Sequence, residues 1–369
     1  MDPSSVRAVL ELDDWEVILQ FLPSGWREQA QVSGALRRAR GVAGPEQLLR
    51  ILFLHLACGY SLAESATRAR LAGWGELSSV ALYKRLKASE EWLRWMAASL
   101  REEGEAVPLP TGRRLRAVDA TTISEPGATG TDWRIHYALN LRSLQCDYFE
   151  LTDVQGGETW RRFPIQAGDI LLGDRAYANG VGVARVVQAG GDVLVRWKAR
   201  GLPLETTAGQ KLNFLAVVRG LRVGQIRDIP TQMRQAEDQP LIGGRLVVLR
   251  RTAAATEKAR QRLRRKAQLK HQKVSPAVWR AAAYFAVWTT LPADWPAAQL
   301  LEYYRRRWQI ELGFKRLKSI LGIGHLPKKD PASCRAWLHG KLAVSLLVER
   351  MIEAADRFSP WGYELENTA

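Results

Sequence analysis

Apolar positions along the chain change their spacing near residue 110. Before that point they recur at three- and four-residue steps, as from Leu48 to Leu56, which is the period of amphipathic helices. After it they form alternating or continuous runs typical of strands. These runs cover residues 115–122, 133–141, 146–154, 170–174 and 193–198. The pattern predicts an N-terminal helical domain followed by a region built on a sheet.

The order of elements after residue 110 indicates the fold class. Three strands follow one another directly, and helical patterns around 158–163 and 181–189 separate the later strands. Strands that alternate with helices are typical of an α/β fold, and this order is compatible with a ribonuclease H-like core. Between 200 and 292, short β-like runs such as 212–218 predict a mainly β insertion.

The next strongly periodic segment, 297–321, is predicted to be one helix with a polar row beside its apolar face. The row consists of Tyr304, Arg307, Glu311 and Lys318. At 100° per residue these positions fall within a sector of about 60°. Acid–base pairs one turn apart also occur on solvated helices, so the row alone leaves a catalytic and a surface role open.

Two aspartates lie within or at the end of apolar strands. Asp119 lies inside 115–122, where burial of an unpaired charge is costly, and Asp174 ends the run 170–174. A role in a turn or a helix cap is the alternative for each. Together with Glu311 they could hold two divalent cations, because Mg²⁺ prefers oxygen ligands. Two such ions support in-line phosphodiester displacement.

The charge of the chain points to a polyanionic partner. The 369 residues contain 54 Lys and Arg against 38 Asp and Glu, which leaves a net charge of +16. Nucleic acid is the simplest partner, because neutralised phosphates release counterions. Segment 258–273 is basic and contains no acid. We interpret it as a phosphate-contacting arm or, alternatively, as a solvated helix or mobile loop; its candidate DNA contacts are Lys258, Arg260, Arg262, Arg264 and Arg265.

Other features bear on the N-terminal domain and the compartment. Helical patterns at 62–66 and 80–86, with glycines between them, fit either a helix-turn-helix or an ordinary bundle. The three cysteines are widely separated, which argues against a disulfide framework and a cysteine zinc site. The start of the chain is acidic and the apolar runs are short, so we expect neither a signal peptide nor a membrane span. A reducing cytoplasm is the expected compartment.

The polar row also has the spacing Y-x2-R-x3-E-x6-K from residue 304 to 318. This spacing resembles the signature of DDE transposases of the insertion-sequence-four group. Segment 118–121, which contains Asp119, resembles the first acidic motif of that family, and 173–177, which contains Asp174, resembles the second. Segment 287–292 resembles the strand before the signature helix. The resemblance covers residues 115 to 345.

The resemblance implies a bacterial cut-and-paste transposase with a ribonuclease H-like core. Asp119, Asp174 and Glu311 would form the catalytic triad that binds two Mg²⁺ ions, for which Mn²⁺ can substitute. The implied reaction is cleavage of phosphodiester bonds at transposon ends, through a hairpin intermediate, and joining of the 3′ ends to target DNA. The implied DNA contacts are Tyr304, Arg307 and Lys318 to phosphates, and Phe285 or Trp288 to a flipped base.

The resemblance also implies partners and a domain organisation. The expected partners are double-stranded DNA, from the terminal inverted repeats and the target, and a second copy of the chain in the end complex. The protein would work in the cytoplasm, on the nucleoid. The expected domains are a DNA-end-binding helical domain at 1–108, core parts at 109–199 and 293–345, the insertion at 200–292, and a short helix and tail at 346–369.

Two alternatives to a transposase stay open. A ribonuclease H-like nuclease or resolvase would hydrolyse DNA without strand transfer. A domesticated DNA-binding protein would keep the basic surface without catalysis, and the complete set of three acids argues against it.

Overall fold

The computed structural model of the chain describes residues 14–102, 109, 111–128, 130, 132–234 and 240–356. Within these ranges one sheet of eight strands forms the centre of the molecule. The strands are β1 (Arg114–Ile123), β2 (Trp133–Asn140), β3 (Cys146–Asp153), β4 (Asp169–Gly173), β5 (Asp192–Arg196), β6 (Ile226–Met233), β7 (Ile242–Arg250) and β8 (Tyr284–Thr289). All five strands predicted between 115 and 198 are present.

The sheet has the order β3-β2-β1-β4-β5-β8-β7-β6. Strands β1, β2 and β3 are antiparallel neighbours, and β4 and β5 continue the sheet parallel to β1. Strand β8 then pairs antiparallel with β5 and joins the hairpin of β6 and β7 to the same sheet. This mixed sheet confirms the α/β fold class, and its first five strands have the arrangement of a ribonuclease H-like core.

Helices cover both faces of this sheet. They are α1 (Asp14–Gln20), α2 (Trp26–Val32), α3 (Pro45–Leu56), α4 (Leu62–Leu71), α5 (Ser79–Ala88), α6 (Glu90–Glu102), α7 (Gly180–Gln188), α8 (Phe214–Val217), α9 (Ala253–Leu269), α10 (Pro276–Ala281), α11 (Ala297–Arg306), α12 (Trp308–Ser319) and α13 (Pro331–Asp356). The N-terminal segment is helical, as predicted. Among the helices that the structure describes, none combines the length and the apolar character that a bilayer crossing needs.

Helix α13 connects the helical N-terminal segment to the sheet. It packs along α6 and also contacts α3 and α5. On its other side, the buried carboxylate of Glu349 accepts hydrogen bonds from the Tyr137 hydroxyl and the Cys146 backbone N–H, both at 3.4 Å. Burial raises the pKa of Glu349 to about 7. Helix α13 runs through residue 346, where a domain boundary is predicted, and the predicted tail beyond 356 lies outside the described residues.

Two local predictions are wrong. The β-like run 212–218 forms the short helix α8, because the side chain of Asn213 accepts a hydrogen bond from the Ala216 N–H and starts a helical turn. The helix predicted around 158–163 is a single 3-10 turn over Trp160–Arg162, capped by Thr159. The segment 200–292 therefore contains helices α8, α9 and α10 as well as strands.

The helix predicted over 297–321 is divided into α11 and α12 at Arg307. Two tight backbone hydrogen bonds form the junction, from Arg307 N–H to the Tyr304 carbonyl and from Ile310 N–H to the Arg307 carbonyl, each 3.2 Å. Bonds between residues three apart tighten the turn relative to an α-helix. Arg307 itself keeps a helical backbone conformation, so the polar row continues from α11 into α12.

Candidate active site

Asp119 lies in β1, and Asp174 directly follows β4, the parallel neighbour of β1. The last paired residues of β1 and β4 are Ala117 and Leu172, and Asp119 and Asp174 each follow two residues later. Since side chains alternate along a strand, the Asp119 carboxylate belongs to the same face as Ala117, and Asp174 follows the end of the neighbouring strand. Neighbouring strands are about 4.8 Å apart, so the fold brings the predicted acids together.

Both aspartates also accept local backbone hydrogen bonds. Asp119 Oδ1 accepts from the Ala120 N–H at 2.8 Å, and Asp174 Oδ1 accepts from the Ala176 N–H at 2.7 Å. Burial raises the pKa of Asp119 to about 6; the Ala120 bond opposes this shift and the charge of Asp174 adds to it. Glu158 also raises the pKa of Asp119, which places a further acid in the neighbourhood.

Arg307 links the signature helices to the aspartates. Its Nη1 lies 3.2 Å from Asp119 Oδ2, and its Nη2 donates to the carboxylate of Glu311. Asp119 and Arg307 are 18% and 13% exposed, whereas Glu311 is 59% exposed. One guanidinium therefore lies between the carboxylates of Asp119 and Glu311 and forms an ion pair with each.

Tyr304 and Lys318 have different environments within the polar row. Tyr304 is buried, and its hydroxyl donates to the carbonyl of Gly173, the residue before Asp174, at 3.2 Å. Burial raises the pKa of Tyr304 to about 12, so the hydroxyl stays protonated. Lys318 is exposed on the last turn of α12. Tyr304 thus anchors α11 to the end of β4, and Lys318 lies about 10 Å along the helix from Glu311.

The donors at this site have the chemistry that Mg²⁺ requires. Carboxylate oxygens are its preferred protein ligands, and Asp119, Asp174 and Glu311 supply them. Among the residues that the structure describes, no three His, Cys, Asp or Glu side chains are grouped closely enough to hold an ion. The residue types fit a divalent cation, which would take over the counter-charge that Arg307 provides.

Comparison with protein families matches residues 110–347 to the family described as Transposase DDE domain. The match contains both aspartates, the signature helices and the whole eight-stranded sheet. The chain belongs to the DDE transposase family. Members of this family generally use divalent metals, in agreement with the donor chemistry of the site.

Full-length relatives of the DDE transposase come from insertion sequences. The putative transposase InsL for insertion sequence element IS186A of Escherichia coli (strain K12) is 32% identical over 356 residues, which cover 94% of this chain and 96% of the relative. The transposase for insertion sequence element IS421 of Escherichia coli is 31% identical over 357 residues, with the same coverage. These matches confirm the resemblance read from the signature.

A weaker likeness links the DDE transposase to a solved structure, the piggyBac transposase synaptic complex with hairpin DNA. The TM-score is 0.49 and the sequence identity 10%, over 99% of this chain and 77% of the other.

The two predicted base-stacking aromatics of the DDE transposase have different surroundings. Trp288 is fully buried, and its Nε1 donates to the Thr231 hydroxyl at 3.0 Å, so its ring belongs to the core. Phe285 is only partly buried, and its ring packs edge-on against Tyr304, with ring centres 5.6 Å apart. Of the two, Phe285 is the aromatic beside the signature residues.

Arg196 lies beside Phe285, and the sequence analysis did not single it out. It ends β5, is 9% exposed, and its guanidinium lies 3.7 Å from the ring centre of Phe285. Its Nη1 is buried and has no hydrogen-bond partner within the described ranges. Burial, with the charges of Arg175 and Arg251, lowers its pKa to about 9. The sequence signal that could have indicated Arg196 is a charged residue at the end of an apolar run, the same signal that indicated Asp174.

The predicted basic arm of the DDE transposase lies apart from the acids, mainly in helix α9. Lys258, Arg262, Arg264 and Arg265 are exposed on α9, and Arg260 is half-buried. None of these five side chains contacts the acids of the signature region in the described structure.

Proposed function

We propose that Asp119, Asp174 and Glu311 form the catalytic triad of an insertion-sequence transposase that cleaves phosphodiester bonds at transposon ends and joins the 3′ ends to target DNA. The observation that carries this proposal is the position of Asp119 in β1 beside the adjacent strand β4, which Asp174 directly follows, with Glu311 linked to Asp119 through Arg307. A hairpin intermediate, implied by the family resemblance, belongs to the same proposal.

The three acids would hold two Mg²⁺ ions, or Mn²⁺ in their place. Bound ions of this kind activate an attacking hydroxyl and stabilise the leaving oxygen of an in-line displacement. The protein's own contribution is to orient the carboxylates, through the Ala120 and Ala176 backbone bonds. Arg307, once released from the carboxylates, can bind a phosphate through a bidentate fork, and Lys318 acts as a compact point charge.

The surroundings of Phe285 suit a DNA strand next to the cut. Its ring could stack on a flipped base. Arg196, which lies against this ring with an unpartnered Nη1, would bind the adjacent phosphate. Tyr304 keeps its hydroxyl on the Gly173 carbonyl, so we assign it the role of supporting Phe285 and α11 rather than a direct phosphate contact.

Other parts of the chain would bring the DNA ends together. We assign end binding to the helical N-terminal segment and pairing of two ends to a homodimer, because two ends require two such sites. The working place would be the bacterial cytoplasm, on the nucleoid.

The direct test is a transposition reaction with purified protein, DNA carrying the element's own ends, Mg²⁺ and a supercoiled target. The expected products are an excised linear element and a joined target. Hydrolysis of the ends without joining would identify a nuclease or resolvase instead. End binding without any cleavage would identify a domesticated DNA-binding protein.

A further inference from the structure

Helix α9 is a basic helix that contributes little to the core. Its 17 residues extend about 25 Å, and Thr256 is its buried residue. Between Lys258 and Lys266 the helix carries six basic side chains, and its one acid is Glu257, which pairs with Arg264 at 3.7 Å. An exposed helix with this charge gains little from packing, so its composition requires another explanation.

The basic residues of α9 divide into two faces. Arg260 and Arg264 lie over the ring of Trp279 in α10, at 4.8 and 4.7 Å from the ring centre. At 100° per residue, Lys258, Arg262 and Arg265 fall within a sector of about 60° on the opposite side. All three of these side chains are exposed. The first face holds α10 against α9 by cation–π contacts, and the second is directed away from it.

Positive charge also lies between the start of α9 and Phe285 of the proposed reaction site. Arg251 directly precedes α9, and its guanidinium lies 5.6 Å from the ring centre of Phe285, on which Arg196 also packs. Burial, and then the charges of Arg175 and Arg262, lower the pKa of Arg251. Arg175 follows Asp174 in sequence. Arg251, just before α9, and Arg196 thus place two positive charges on the ring of Phe285.

We propose that the outer face of α9, formed by Lys258, Arg262 and Arg265, binds the phosphates of duplex DNA that continues from the reaction site. This proposal rests on the proposed function, since it extends the same DNA. A helix of 25 Å reaches about seven base pairs at 3.4 Å per pair, so α9 lengthens the footprint by up to that amount. Arg260 and Arg264 have a positioning role, because they fix the helix on Trp279.

The test compares Arg262→Gln/Arg265→Gln with a matched control, Arg142→Gln/Arg185→Gln. Each variant loses two exposed positive charges. Glutamine keeps a helix propensity close to that of arginine, and Arg260 and Arg264 stay on Trp279, so α9 remains folded. Thermal unfolding of both variants should match that of the wild type.

The measurement is the dissociation constant for end duplexes lengthened in single-base-pair steps, on the flanking side in one series and on the transposon side in the other. For the wild type and the control, affinity should rise as the duplex is lengthened in one of the two series, over about seven base pairs. The series in which it rises identifies the side of the cut whose DNA α9 binds. The α9 variant should lose that gain, and its slope of log K against log salt should fall by about 2.

Equal length dependence and salt slope in the α9 variant and the control would overturn the proposal and leave α9 as a solvated surface. End cleavage by the wild type, measured on the same duplexes, keeps the two claims separate. Failure of the wild type to cleave any end contradicts the proposed function, whereas normal cleavage with an unchanged footprint contradicts only the role of α9.

Discussion

Replacement of Arg307 by glutamine tests whether this guanidinium provides the counter-charge of the acids in the metal-free protein. Glutamine keeps a polar side chain on the helix but removes the charge between Asp119 and Glu311. Asp119 then lacks its cation while it remains 18% exposed. The variant should be less stable than the wild type without metal, and a divalent cation should restore much of the loss.

The expected size follows from the two contacts. The pair with Asp119 is mostly buried, and a hydrogen bond to a charged group of this kind contributes about 1.5–3 kcal/mol. The pair with Glu311, which is 59% exposed, adds less than about 1 kcal/mol. We therefore expect Arg307→Gln to lower the free energy of unfolding by about 2–3 kcal/mol in EDTA. For a chain of 369 residues, this corresponds to a decrease in Tm of about 3–4 °C.

Thermal unfolding in EDTA and in millimolar Mg²⁺ provides the measurement. Because an ion that binds only the folded state stabilises it, Mg²⁺ should raise the Tm of Arg307→Gln more than that of the wild type, in which the guanidinium competes with the ion. Arg305→Gln, at an exposed arginine of α11 that pairs with Glu302, is the matched control. Equal Mg²⁺ shifts in all three proteins, or a wild-type Tm for Arg307→Gln in EDTA, would refute the bridging role.

Substitutions at three other positions test separate parts of the structure. Arg196→Met should raise the free energy of unfolding of the DNA-free protein by about 1–3 kcal/mol, because it removes a buried unpartnered donor, and should weaken end binding; loss of stability in urea would contradict this. Glu349→Gln should stabilise the protein by about 3 kcal/mol near pH 8 and have little effect near pH 4 in urea titrations. The reason is that the pKa of Glu349 is raised from 4.5 to about 7, so the folded state binds the proton more tightly than the unfolded state. The wild type therefore loses stability as the pH rises through that interval. A change in stability that is the same at every pH would contradict the raised pKa of Glu349. Phe285→Ala should slow end cleavage and Phe285→Trp, which keeps an aromatic surface, should retain it, and cleavage at the wild-type rate by Phe285→Ala would argue against base stacking on Phe285.

The sheet was predictable because its strands have strong local signals. The runs at 170–174 and 193–198 are apolar and lie at the centre of the sheet, where both faces are covered. The run at 212–218 is equally apolar, yet it forms helix α8 after Asn213. Short apolar runs fit both helix and strand, and a single capping side chain decides between them.

The candidate acids were predictable from order and spacing, whereas their connections were not. Arg307 contacts Asp119 across 188 residues of sequence, and this contact coincides with the division between α11 and α12. The environment of Arg196 depends on Phe285, which comes from a strand that follows the insertion. Helix periodicity and strand alternation describe neighbouring residues only, so they could not reveal either contact.

Single-turnover cleavage of pre-assembled end complexes tests the central claim most directly. The variants are Asp119→Asn, Asp174→Asn and Glu311→Gln, with Glu302→Gln as the control acid on α11. Each triad variant should bind transposon ends like the wild type and show no cleavage in Mg²⁺, because it has lost a metal ligand, while Glu302→Gln should cleave at the wild-type rate. Cleavage at the wild-type rate by any of the three triad variants would remove that residue from the catalytic site and contradict the account.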